Sequence, residues 1–208
     1  RHSRLICRAG SPLFLAMAFG CRAGLQQEVL GEVYWERIRR KAEQFTLHKL
    51  GAFGADLAAL ANLFEQVWAQ PSKNMSEAGQ AVVLNWAGFR LRGLGRLREA
   101  AEQMLASLER HKILKDWRES ALDASNLSEL HLTLGSVQQA VQFGQQAVDF
   151  ADRSGVGFQK ESKRATLADA LHQSGKWEAA QQWFVEAEAM HREHQPAYRF
   201  LYSLQGFK

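Results

Sequence analysis

Cysteine is nearly absent: Cys7 and Cys21 are the only two in 208 residues. Their spacing makes neither a CxxC pair nor a disulfide framework, and a reducing, cytoplasmic setting fits. Proline is as scarce, with three residues, so little stands in the way of long helices. Long apolar runs are missing too. The run from Pro12 to Phe19 is eight residues, far short of the ~20 that cross a bilayer. No GxxxxGK[ST] phosphate loop, GxSxG elbow or HExxH pair occurs. "SGVGF" holds two glycines, but no strand precedes it, so it marks a turn.

Other candidates for chemistry are thin. His191 and His194 stand at i, i+3 and could share a metal with Glu188 or Glu193; a solvated helix end explains them as well. His131 and His172 suit a groove or a packed interior. The carboxylates form no isolated, apolar-flanked pair for acid–base work. No catalytic residue, metal or cofactor is expected.

Charge is uneven. Residues 1–100 carry 14 Lys/Arg against 8 Asp/Glu, and residues 101–208 carry 12 against 14. A basic half could meet nucleic acid or acidic lipid. Yet the cations are dispersed, and the one dense run, Arg37 to Lys41, reads as a helix's polar face. The segment 1–24 loosely resembles a secretory signal, with an amphipathic helix or a disordered leader as the alternatives.

What is present is a period. Gly95, Gly135 and Gly175 are 40 apart, as are Ala100, Ala140 and Ala180, and Leu97, Val137 and Trp177. Within one unit, Leu122, Leu127 and Leu130 follow helical spacing. Gly135 then ends that helix. Ser136 is placed to cap the next, where Val137, Ala140, Val141, Ala147 and Val148 resume the stripe. The unit predicts helix, tight turn, antiparallel helix. One pair exposes its apolar face, and stacked copies bury it. Ala140 and Ala147, like Ala180 and Ala187, are seven apart and predict close helix approach.

This pattern resembles the tetratricopeptide repeat (TPR). A Leu in the first helix (Leu127, Leu167), a Gly at the turn and two Ala seven apart in the second helix carry the likeness. The period of 40, against the usual ~34, and the missing closing Pro depart from it. The resemblance implies an all-α, TPR-like right-handed solenoid of antiparallel helix pairs. Strings such as "NLSELHLTLG" and "LADALHQSGKWEAA" also look like the C-terminal arrays of bacterial STAND (NACHT-like) or TIR-containing signalling proteins. That likeness implies a non-catalytic interaction, sensor or scaffold region of a larger protein.

The expected organisation is a leader at 1–30, a degenerate helix pair at 31–70, a linker at 71–76 and three repeats at 77–194. The start of a further helix follows at 195–208. Ser76 is placed to cap the first repeat helix. TPR geometry would put first helices on a concave face. Three rows then recur by 40: Asn85 with Ser125; Phe89 with Glu129 and Asp169; Arg92 with His172, beside Thr133 and Gln173. A protein or peptide partner is expected there. Self-association through array ends, and nucleic acid on the basic half, are the alternatives.

Overall fold

The structure is a computed structural model that describes residues 12–194. The expected further helix at 195–208, like residues 1–11 of the leader, lies outside the described residues. The chain divides into two compact units between Ser107 and Leu108.

The first unit begins with α1 (Pro12–Arg22) and α2 (Gln26–Glu28), which runs on into a π-helical stretch, Val29–Ile38. A 3-10 turn (Lys41–Glu43), α3 (Phe45–His48) and α4 (Phe53–Ala61) follow. Then comes a small antiparallel hairpin, β1 (Phe64–Gln66) and β2 (Gln70–Pro71). Helix periodicity did not foretell it. Pro71 has no N–H for a helix interior, and Trp68 turns the chain at φ +59°. The Trp68 ring meets Phe64 edge-on at 5.1 Å, and the Ser72 N–H closes onto the Leu63 carbonyl at 2.9 Å.

A buried polar knot ties this unit together. The Asp56 carboxylate accepts from Tyr34 Oη and Thr46 Oγ1, each at 2.8 Å, and from Arg90 Nε at 2.6 Å. Arg90 also donates to Tyr34 Oη at 3.0 Å and to the Trp86 carbonyl at 3.1 Å. Burial in this knot pushes the Tyr34 hydroxyl well above its ordinary pKa. Arg90 lies on α5 (Glu77–Gly93), whose first turn Ser76 caps by accepting the Gly79 N–H at 3.1 Å. The knot therefore fastens residues 34–56 to the first repeat helix. α5 packs on α6 (Leu97–Ile113) at Gly88, where an added Cβ would stand 3.2 Å from the Ala100 carbonyl oxygen. Here the Ser107 hydroxyl reaches across to the Ala81 carbonyl at 3.0 Å.

The second unit holds the end of α6 and four full helices. These are α7 (Trp117–Thr133), α8 (Val137–Ser154), α9 (Gly157–Gln173) and α10 (Trp177–His194). α8 is strongly amphipathic, burying Ala140, Gly144, Ala147, Val148 and Ala151 on one stripe. Gly144 allows a close approach: a Cβ there would lie 3.2 Å from Leu167 Cα. Ser128 Oγ donates to the Ala140 carbonyl at 2.8 Å across the α7–α8 contact. Ala180 and Ala187 are likewise buried on α10. First helices differ from second helices: residues 123–128 of α7 and 163–168 of α9 are buried without a break. They are packed from more than one side, so their sequence shows little amphipathicity.

The turn recurs at half the sequence period. Left-handed residues stand every 20 positions: Gly95, Lys115, Gly135, Gly155 and Gly175, with φ between +55° and +79°. At four of them the next N–H reaches the carbonyl five residues back: Arg96 to Leu91, Asp116 to His111, Ser136 to His131 and Lys176 to Leu171, at 2.8–3.0 Å. This is the Schellman closure of a helix end. Ser136 sits at the N-cap position of α8, but its side chain makes no capping bond. Asp116 does cap α7, accepting the Glu119 N–H at 3.1 Å.

Candidate partner-binding face

The sequence rows separate by burial. Asn85 and Ser125 are buried, and Ser125 Oγ lies 3.3 Å from Thr166 Oγ1. That row is turned away from water, and Ser125 faces α9. Phe89 is half-buried under Phe53, with ring centroids 6.5 Å apart, and the Arg92 guanidinium lies 5.3 Å over it. An added Cβ at Gly93, one turn on from Phe89, would stand 2.5 Å from the Phe53 ring. The first unit thus covers this part of α5 with its own aromatics.

In the second unit the equivalent face is more open. Glu129 and Asp169 are both half-buried, while Thr133, His172 and Gln173 are exposed. Thr133 Oγ1 donates to the Glu129 carbonyl at 3.0 Å. On the same side of α7, one and two turns before Glu129, come buried Asn126 and half-buried Leu122.

Charged groups that sequence reasoning passed over lie beneath this face. Lys163 is buried, with 7% exposure, and occupies on α9 the register position of Asp123 on α7. Burial drives its amine down from 10.5 to about 8, against the opposing fields of Glu129 and Glu119. Asp123 itself is fully buried, with Oδ2 at 2.7 Å from His111 Nδ1. Burial opposes charge on that imidazole, but Asp123, with Glu119 and Asp116 farther off, raises its pKa overall. Burial raises the Glu119 carboxyl. Arg164 bridges Asp152 at 2.9 Å and Glu186 at 2.6 Å.

The histidines resolve separately. His131 stacks on Phe143, centroids 5.2 Å apart, and burial lowers its pKa. His191 is buried, and its Nδ1 turns 3.4 Å from Glu161 Oε1 rather than toward Glu188 or Glu193. Glu188 instead accepts from Arg192 at 2.7 Å. Among the described residues no group of three or more His, Cys, Asp or Glu could hold a metal.

No protein-family model and no curated protein matches the chain. Solved structures do. The chain is similar to a Podosopora anserina putative kinesin light chain with nearly identical TPR-like repeats. Identity there is 20% and the TM-score 0.56, over 91% of this chain and 98% of that one. The Q17M crystal structure of that protein gives 19% identity and a TM-score of 0.57, over 88% and 95% of the two chains. The fold is a TPR-like helical repeat. The TPR-like helix pairs set the face described above: first helices α7 and α9 bring Glu129 and Asp169 out at one register position, one period apart. No helix of the described residues is long and apolar enough to cross a membrane.

Proposed function

We propose that this chain is a non-catalytic interaction module that takes a basic peptide segment along α7 and α9 of its second unit. TPR-like repeats commonly serve as protein–protein scaffolds. One observation carries the finer reading: Glu129 and Asp169 emerge half-buried at equivalent positions, flanked by exposed Thr133, His172 and Gln173. A partner Lys or Arg there gains charge-assisted hydrogen bonds. Ser125 lies buried beneath this face, and Asn85, Phe89 and Arg92 belong to the first unit. In that unit Arg90 is spent on Asp56, and Arg39 lies 4.5 and 4.8 Å over the Trp35 and Trp86 rings. This supports a protein partner over nucleic acid. A place within a larger bacterial signalling protein, as sensor or scaffold, fits such a module.

The test is a random 16-residue peptide display library panned on the wild type and on Glu129→Gln/Asp169→Asn. Neutral amides are chosen because a lysine at 129 would set a second cation near Lys163. Lys- and Arg-rich peptides should be enriched on the wild type, and affinity should fall about tenfold or more, since a charge-assisted bond contributes roughly 1.5–3 kcal/mol. Equal enrichment on both proteins overturns the assignment.

A further inference from the structure

The 20-residue series of left-handed turns has one exception. Four positions carry glycine; the fifth is Lys115, at φ +55°. A side chain there meets steric strain that glycine avoids. The Lys115 side chain makes no hydrogen bond or ion pair among the described residues, so only the backbone closure of the turn, Asp116 N–H to the His111 carbonyl at 3.0 Å, offsets that strain.

The surroundings give the strained lysine a context. Ile113 is 79% exposed and Leu114 41%, both just before the turn; Val156 (39%) and Phe158 (46%) follow the turn one period on. Contacts join the two turns. Trp117 stacks on Phe150 with centroids 5.9 Å apart, and the Arg153 guanidinium lies 5.1 Å over Trp117. Cations stand outward: Lys115, Arg153, and Arg118, whose side chain is well exposed and 4.0 Å from its carboxylate neighbour Glu119. The carboxylates at this edge are engaged. Asp116 caps α7, and Asp152 pairs with Arg164. The result is an exposed apolar surface at the α6–α7 and α8–α9 turns, flanked by the cations Lys115, Arg118 and Arg153, with the Asp116 carboxylate turned to its own helix N-terminus and Asp152 paired with Arg164.

We infer that this turn edge, Ile113–Arg118 with Arg153–Phe158, is a second docking surface for an acidic, amphipathic segment of a protein partner. Charge complementarity selects the occupant. Apolar side chains of the segment cover Ile113, Leu114, Val156 and Phe158, and its carboxylates meet Lys115, Arg118 and Arg153. Such a segment is opposite in charge to the basic peptide proposed for the Glu129–Asp169 face, so the two assignments fail independently.

The experiment pans the same display library on the full chain, on Lys115→Glu, on Ile113→Ser and on Lys115→Gly. Peptides combining Asp/Glu with Leu, Ile or Phe at helical spacing should be enriched on the wild type. Their affinity, read by fluorescence anisotropy on synthesised hits, should fall at least tenfold for Lys115→Glu and Ile113→Ser. Lys115→Gly relieves the backbone and should bind several-fold less tightly while melting at a higher temperature, which separates lost contact from lost fold. No acidic–apolar enrichment on the wild type, or equal affinity for Lys115→Glu, overturns the inference. So does sedimentation of the chain with phosphatidylserine vesicles that depends on Ile113 while acidic peptides stay unbound, since the occupant is then a membrane.

Discussion

Lys163 makes the stability of the second unit depend on alkaline pH in a calculable way. In the unfolded chain its amine titrates near 10.5, and in the fold near 8. The depressed value means that the folded state disfavours the proton. Between those two pH values the unfolded chain binds more protons than the folded one, so stability rises as pH rises. The gap from 10.5 to about 8, at roughly 1.4 kcal/mol per pH unit, amounts to roughly 3 kcal/mol. Below about pH 8 both states are protonated, and the folded state carries the full penalty of the buried ammonium. Lys163→Met removes it with a side chain of similar reach. The Lys163→Met variant should therefore be more stable than the wild type at pH 7 by about 1–3 kcal/mol, since buried charge is often replaced by hydrophobe at a gain. The two proteins should converge as pH approaches 10. The assay is urea denaturation at pH 7, 8, 9 and 10, followed by far-UV circular dichroism. Differencing the two proteins removes the titration of other lysines and of tyrosines. The neighbouring Glu119, raised by burial, and His111, raised by Asp123 against the opposing effect of burial, are present in both proteins and enter the same difference. A difference that stays constant from pH 7 to 10, or a variant less stable throughout, would refute the reasoning and make Lys163 a stabilising cation.

Further outcomes follow from single residues. Gly144→Ala should cost about 1–3 kcal/mol by overpacking, because the new Cβ meets Leu167 Cα at 3.2 Å; a neutral thermal melt would show that α8 and α9 separate easily. Asp56→Ala should cost about 3–5 kcal/mol by leaving Arg90 buried without its carboxylate, read as loss of hydrogen-exchange protection across 29–93. Lys115→Gly should add about 0.5–1 kcal/mol, and Gly135→Ala should remove about as much, both read from urea midpoints. His111, raised by Asp123 in the fold, contributes stability that is full below the unfolded value near 6.5 and is lost as pH rises through the folded one; Asp123→Asn should flatten that loss.

The helix pairs were legible because glycine marks three turns at a spacing of 40 and alanine marks the close contacts. The true turn spacing of 20 was hidden by Lys115, which carries the glycine's backbone shape without its identity. The hairpin at 64–71 had no periodic signal, being two short strands closed by Trp68. The Asp56 knot joins residues 22 and 34 apart in sequence, and no local pattern encodes such pairings. Placement of the candidate face was legible by register but not by depth. Asn85 and Ser125 obey the period as well as Glu129 does, yet both are buried, and Ser125 meets Thr166 on the next first helix. The reason is that a first helix is packed on several sides, so periodicity alone leaves its narrow open stripe unmarked.

Two lysines break local rules in this unit, and they break them differently. Lys163 is costly because of where its charge lies, and Glu119 and Glu129 return part of that cost through their fields. That partial compensation comes from within the fold itself. Lys115 is costly because of its backbone, and no contact of its side chain among the described residues returns anything. Glycine is already used at every sister position, so the fold has a ready alternative that it does not take here. Local preference and global fold usually agree, and departures without compensation concentrate where function imposes them. By that criterion the exposed lysine between Leu114 and Asp116 points outward to a partner more strongly than the buried one does. Its removal should therefore separate stability from binding, raising the first and lowering the second.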